Sequence, residues 1–88
     1  MDIDLNQKKL SGNFLLVTTK YETQFYYIKN ICVANVAGYN VYDVFDLINN
    51  ENEKLQLFDI VVIALLALNP QTYTHRYGRD VSITYEIL

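Results

Sequence analysis

Asn40-Val41-Tyr42-Asp43-Val44-Phe45-Asp46-Leu47-Ile48-Asn49-Asn50, with the stretch that follows it from Glu51 to Leu68, decides how this chain is read. Val41, Val44, Phe45 and Ile48 recur at i, i+3, i+4 and i+7, the period of an amphipathic helix. Asn40 is a good N-cap residue, and Asp43 three positions on completes a capping box with Asp in place of Glu. Asp43 and Asp46 early in such a helix also suit its macrodipole. The spacing predicts a helix from Asn40 that closes at Asn49-Asn50. Asn52 then caps a second helix, Glu53 to Leu68, with Leu55, Phe58, Val62, Leu65 and Leu66 on one face. Its segment Ile60 to Leu68 is apolar all round, which predicts the most buried element of the fold. Asn69-Pro70 stops it. The β-branched run Ile60-Val61-Val62-Ile63 makes a strand through residues 58–63 the competing reading. Total length and the tail Ala64-Leu65-Leu66-Ala67-Leu68 favour the helix.

Toward the N-terminus, Phe14 to Thr19 and Gln24 to Lys29 are rich in β-formers. The polar break Lys20-Tyr21-Glu22-Thr23 between them predicts a hairpin. Ile31 to Val36 extends the second strand or makes a third, with Asn30 as a bulge between the halves. Ala37-Gly38 ends the β region. Residues 1–12 read as a polar arm from which Ile3, Leu5 and Leu10 can dock on a core. Toward the C-terminus, Gln71 to Asp80 reads as an ordered loop rich in Tyr and Arg. Val81, Ile83, Tyr85 and Ile87 then alternate with Ser82, Thr84 and Glu86, the pattern of a half-buried strand. The expected fold is α+β: a small antiparallel sheet in β-β-(β)-α-α-β order with an αα-hairpin packed on one face. The last strand is expected beside the second. The alternative puts it beside the first, as a parallel pair.

The chain has 88 residues, enough for one domain over 1–88. Its 51% hydrophobic content suits a packed globule rather than a disordered chain. The lone Cys32 excludes an intramolecular disulfide and fits a reducing compartment. The N-terminus lacks the pattern of a secretory signal. The longest apolar run, Ile60 to Leu68, is too short to cross a bilayer. The expectation is a soluble, cytoplasmic protein, in the host cytoplasm if the source is viral. Frequent Asn, Ile, Lys and Tyr, all with A/T-rich codons, suggest an A/T-rich cellular or viral genome.

Eight tyrosines stand beside one histidine, one cysteine and no tryptophan. Catalysis draws mainly on His, Cys or paired carboxylates, whereas Tyr offers broad contact area with a polar tip. A Cys32–His75 dyad is conceivable, yet Cys32 between Ile31, Val33 and Ala34 reads better as a small buried residue. No zinc or EF-hand spacing occurs. Glu51 and Glu53 with Asp46 offer at most a weak attraction for Ca²⁺, and a solvated acidic turn is the simpler reading. Gly12, Gly38 and Gly78 stand alone, so there is no phosphate loop. Neither a catalytic residue nor a cofactor nor a metal is expected.

Two surface constellations remain as candidate partner sites. Asp43, Asp46, Glu51, Glu53 and Asp59, opposed by Lys54, would form one negative ridge on two antiparallel helices. Such a ridge imitates a phosphate row or steers onto a basic partner. Tyr73, His75, Arg76, Tyr77 and Arg79 crowd the loop before the last strand, and Tyr and Arg are enriched at binding hot spots. Tyr26 and Tyr27 must point to opposite sheet faces, leaving a tyrosine on an open face suited to an oligomer or partner.

The expected function is a non-enzymatic protein-binding module. Its concrete form is a small acidic inhibitor of the phage or mobile-element kind, blocking a larger host protein such as a basic nucleic-acid-binding one. The likeness to anti-CRISPR proteins and DNA mimics is one of size and charge. A homodimer is a further expectation. The alternative is a small nucleic-acid-binding regulator using Lys8, Lys9 and the Tyr/Arg loop 73–79, which the net charge of −3 disfavours.

Overall fold

The computed structural model describes residues 10–29 and 34–88. In it, residues 40–46, which carry the helical period, lie in a strand. Val41, Tyr42, Val44 and Phe45 are β-branched or aromatic, and such residues fit a pleated, half-buried surface. Once Asn40, Tyr42, Val44 and Asp46 turn inward, the burial alternates strictly along the strand. The hairpin partner is the next segment, whose Leu55 and Leu57 stand opposite Tyr42 and Asn40.

The elements in chain order are β1 (Phe14–Thr18), β2 (Thr23–Ile28), β3 (Ala34–Val36), β4 (Tyr39–Asp46), β5 (Glu51–Phe58), α1 (Asp59–Ala67), β6 (Thr72–Arg76) and β7 (Ser82–Ile87). All neighbouring strands are antiparallel. The sheet runs β5-β4-β2-β1-β7-β6, with β3 and β2 end to end along one edge of β4. Phe58 at the end of β5 lies 6.4 Å from His75 of β6, so the sheet coils until its two edge strands approach there.

The expected αα-hairpin is therefore absent. Among the described residues one helix of nine residues remains, on a sheet of seven strands, so the architecture is α+β only in the broad sense. Asn40 does not cap a helix; it is buried in β4, where its amide donates to the Asp59 carboxylate. Asp46 is a turn residue: its Oδ1 accepts the backbone N–H groups of Ile48 and Asn49, both at 2.9 Å. This turn through residues 47–50 closes the β4–β5 hairpin, and Asn50 takes a left-handed conformation at φ 60°. The strand alternative at 58–63 fails as well, since α1 begins at Asp59.

Ala37-Gly38 does not end the β region. Both residues have positive φ, 49° and 84°, as a two-residue hairpin turn requires, and they join β3 to β4. Ala34–Val36 is a separate third strand; Asn30, residues 31–33 and Cys32 lie outside the described residues. The loop expected at 71–80 is largely strand, β6. The last strand pairs with β1, so the alternative neighbour holds, but the pair is antiparallel rather than parallel, and the favoured place beside the second strand does not hold. The extra strands β4, β5 and β6 reverse the chain direction that a helical hairpin would have set.

The β1–β2 hairpin stands as expected, and so does a last strand, although it begins at Ser82 and leaves Val81 exposed. The stop at Asn69-Pro70 also holds, and Gln71 Nε2 donates to the open carbonyl of Leu65 at 3.0 Å. Of the expected arm, residues 1–9 lie outside the described residues, and Leu10 is fully buried. The core sits between the inner sheet face and α1. Leu15, Val17, Tyr26, Ile28, Tyr42, Val44, Leu57 and Tyr85 meet Val61, Val62 and Leu65 there. Tyr73 and Ile83 pack at its margin.

Candidate partner-binding surfaces

The outer face of the sheet follows from the same alternation. Phe14 of β1 stands opposite Tyr27 of β2, which stands opposite Phe45 of β4. One step along, Leu16 stands opposite Phe25. Two rows of aromatic and aliphatic side chains thus cross the face away from α1, the first over three strands and the second over two. The Phe14 ring lies 5.7 Å from that of Phe25 and 5.2 Å from that of Tyr27. The exposed Leu88 and Leu47 continue the rows: their N–H groups donate to Phe14 O and Phe25 O. Polar groups frame the patch. Lys29 Nζ donates to Asn52 at 2.7 Å, Lys54 pairs with Asp43, and Glu86 stands opposite Leu16. The expected division of Tyr26 and Tyr27 between faces is realised: Tyr26 is buried and Tyr27 half-buried on this outer side.

The five acids expected to form one ridge are dispersed. Asp43 is on the outer face in its ion pair with Lys54. Asp59 is at the start of α1, taking Asn40's amide. The seven residue steps from Glu51 to Phe58 put these ends about 23 Å apart along β5. Only Asp46, Glu51 and Glu53 come together, with one oxygen each within 4.8 Å of the others. Asp46 and Glu51 are cross-strand partners, and Glu53 follows on the same face.

The hydrogen bonds from the Asn49 backbone and side chain hold the Asp46 carboxyl below its usual range, against its burial. Desolvation, with the charges of Asp46 and Glu51, pushes the Glu53 carboxyl up. Burial and then the charges of Glu53, Asp46 and Glu22 push the Tyr26 phenol up to about 12. The hairpin tip is thus a concentrated negative spot. Among the described residues it is the one group of acids that could meet on a single cation, though exposed acids commonly stand so without an ion.

The Tyr/Arg group is also divided. Tyr73 and His75 are on the inward side of β6, opposite Tyr85 and Ile83. Tyr73 Oη lies 3.0 Å from His75 Nδ1, and the Tyr77 ring meets the imidazole edge-on at 4.4 Å. Phe58 and Tyr39 extend this aromatic stack. Burial, then the Tyr77 hydroxyl, raises the Tyr85 phenol well above its ordinary value. Arg76 and Arg79 are exposed at the β6–β7 turn. The tyrosines therefore serve packing more than display, although Tyr77 stays 41% exposed.

Sequence reasoning missed Leu16, Phe25, Phe45, Leu47 and Leu88 as surface candidates. Alternation in Phe14/Leu16 and Phe25/Tyr27 was a usable signal. For Phe45 the helical period concealed it.

No family model, curated protein or solved structure matches this chain. No helix among the described residues is long and apolar enough to cross a membrane.

Proposed function

We propose that this chain is a non-enzymatic recognition module that binds a larger protein through the outer face of its sheet. The concrete form of the reading is a small acidic inhibitor, of the phage or mobile-element kind, acting in the cytoplasm of its host. The observation that carries it is the cluster Phe14, Leu16, Phe25, Tyr27 and Phe45, placed in two rows by strand register on the face that α1 does not cover. A contiguous apolar patch rimmed by polar groups is what protein interfaces use. Aromatic side chains give it large contact area with few rotatable bonds. The acidic tip Asp46-Glu51-Glu53 favours a partner with basic surface beside its apolar contact, since opposite charge raises the encounter rate. The second reading, nucleic-acid binding through residues 73–79, has the exposed Arg76 and Arg79 in its favour and the net charge of −3 against it.

The test is capture from host extract with the wild-type chain, Phe25→Lys and Arg79→Glu as parallel baits, followed by titration of the retained protein. Phe25→Lys is expected to weaken binding at least ~100-fold, as for a central hot-spot residue, with Arg79→Glu near wild type. Equal retention by all three baits refutes the assignment of the face. Loss with Arg79→Glu alone, together with salt-sensitive binding of labelled oligonucleotides, supports the second reading.

A further inference from the structure

The helix α1 carries an apolar stripe that the fold leaves bare. Val61, Val62 and Leu65 are buried on the sheet, whereas Ile60 and Ile63 are each 54% exposed and Ala67 is exposed beside them. With Ala64, these residues fall within about 100° of helix circumference, directly opposite the buried side. An apolar stripe facing water on a helix is unusual, because surface helices ordinarily turn polar residues outward. Here Asp59 is the single charged residue of the helix, and its carboxylate is engaged by Asn40.

We infer that this stripe is where two copies of the chain meet, α1 packing antiparallel on α1 about a two-fold axis. The stripe is self-complementary in size. Antiparallel pairing sets Ile60 of one copy against Ala67 of the other and Ile63 against Ala64, so a large side chain meets a small one at each step. Antiparallel pairing also keeps like charges apart, since Asp59, the one charged residue of α1, falls at opposite ends of the pair. The chain carries −3, but the acidic hairpin tip lies at the far end of β5. That is about 23 Å from the start of α1, more than two screening lengths of roughly 8 Å at physiological salt.

Area sets the strength. The stripe with Leu68 offers roughly 300 Å² per copy, less than half of the ~800 Å² that each side of a standard stable interface buries. The dimer is therefore reversible, with a dissociation constant in the range of about 10 µM to 1 mM. Because α1 lies on the inner side of the sheet, the dimer leaves both outer faces free and displays them as a pair.

Sedimentation velocity of the full chain between about 10 µM and 1 mM tests this, the range bracketing the expected constant. The wild-type mass should rise toward twice the monomer value across it. Ile63→Lys should stay monomeric, at least ~100-fold weaker, while Phe25→Lys on the outer sheet face should self-associate like wild type. A second measurement covers the case in which Ile63→Lys misfolds. In a Cys32→Ser background, Ile63→Cys should form an intermolecular disulfide under mild oxidation, and Thr74→Cys on β6 should not. A wild-type monomer throughout the range overturns the inference. So does a dimer that survives Ile63→Lys, equal cross-linking at the two cysteines, or a monomer that dimerises only when residues 1–9 are deleted.

Discussion

Replacing Leu65 and Ile63 by alanine, one at a time, separates a helix buried on one side from the all-round burial its composition predicts. Leu65 is fully buried against the sheet. Removing three carbons at about 0.8 kcal/mol each, and leaving a cavity, gives a cost of about 3–4 kcal/mol. A chain of this length has roughly 4–13 kcal/mol in total. At about 4–8 °C per kcal/mol the midpoint should fall by roughly 12–30 °C. Ile63 loses the same three carbons, but it is 54% exposed in the monomer. Half the transfer term is about 1.2 kcal/mol, and the better helix propensity of alanine returns about 0.4. Its cost should therefore stay below about 1 kcal/mol. Urea unfolding followed by far-UV circular dichroism measures both, at about 1 µM so that self-association contributes little. Equal costs at the two positions, or a Leu65→Ala cost under 1 kcal/mol, would refute the one-sided packing of α1.

The β3–β4 turn holds a non-glycine residue at positive φ, Ala37 at 49°. Ala37→Asn, which tolerates that region, should stabilise by about 0.5–1 kcal/mol in the same assay. Acid should act in two opposed stages. Glu53, with its folded pKa raised above 4.5, binds more protons folded than unfolded, so stability should rise as pH falls through the raised value toward 4.5. Asp46, with its folded pKa lowered below 3.8, contributes stability that is present above 3.8 and lost as pH falls further through the lowered value. Denaturation between pH 3 and 7 should show both trends. Glu53→Gln should remove the first and Asp46→Asn the second; a profile unchanged by either variant would contradict the clustered tip.

The N-terminal hairpin and the last strand were legible because Phe14–Thr18, Thr23–Ile28 and Ser82–Ile87 carry β-forming residues in short runs bounded by polar breaks. The end of α1 was legible from Asn69-Pro70, which acts locally. Residues 40–58 were not. Val41, Val44 and Phe45 satisfy the helical period, and so do Leu55 and Phe58, while the same stretch also alternates. Asp46 and Asn50 supply turn chemistry that reads equally well as a helix start and stop. The partner surfaces inherited this error: two helices would have aligned Asp43 with Asp46, whereas a strand sends Asp43 outward to Lys54 and keeps Asp46 within the tip.

By itself the sequence settled an acidic, tyrosine-rich composition, three of the strands, and an apolar segment ending at Asn69-Pro70. Tertiary structure decided that residues 39–58 form a hairpin, that the sheet coils around the short helix α1, and which side chains reach the outer face. The division has a physical cause. A helix satisfies its backbone within its own segment, whereas a strand is stable only with a neighbour supplied from elsewhere in the chain. The choice between them for this segment rests on pairings that no local pattern contains.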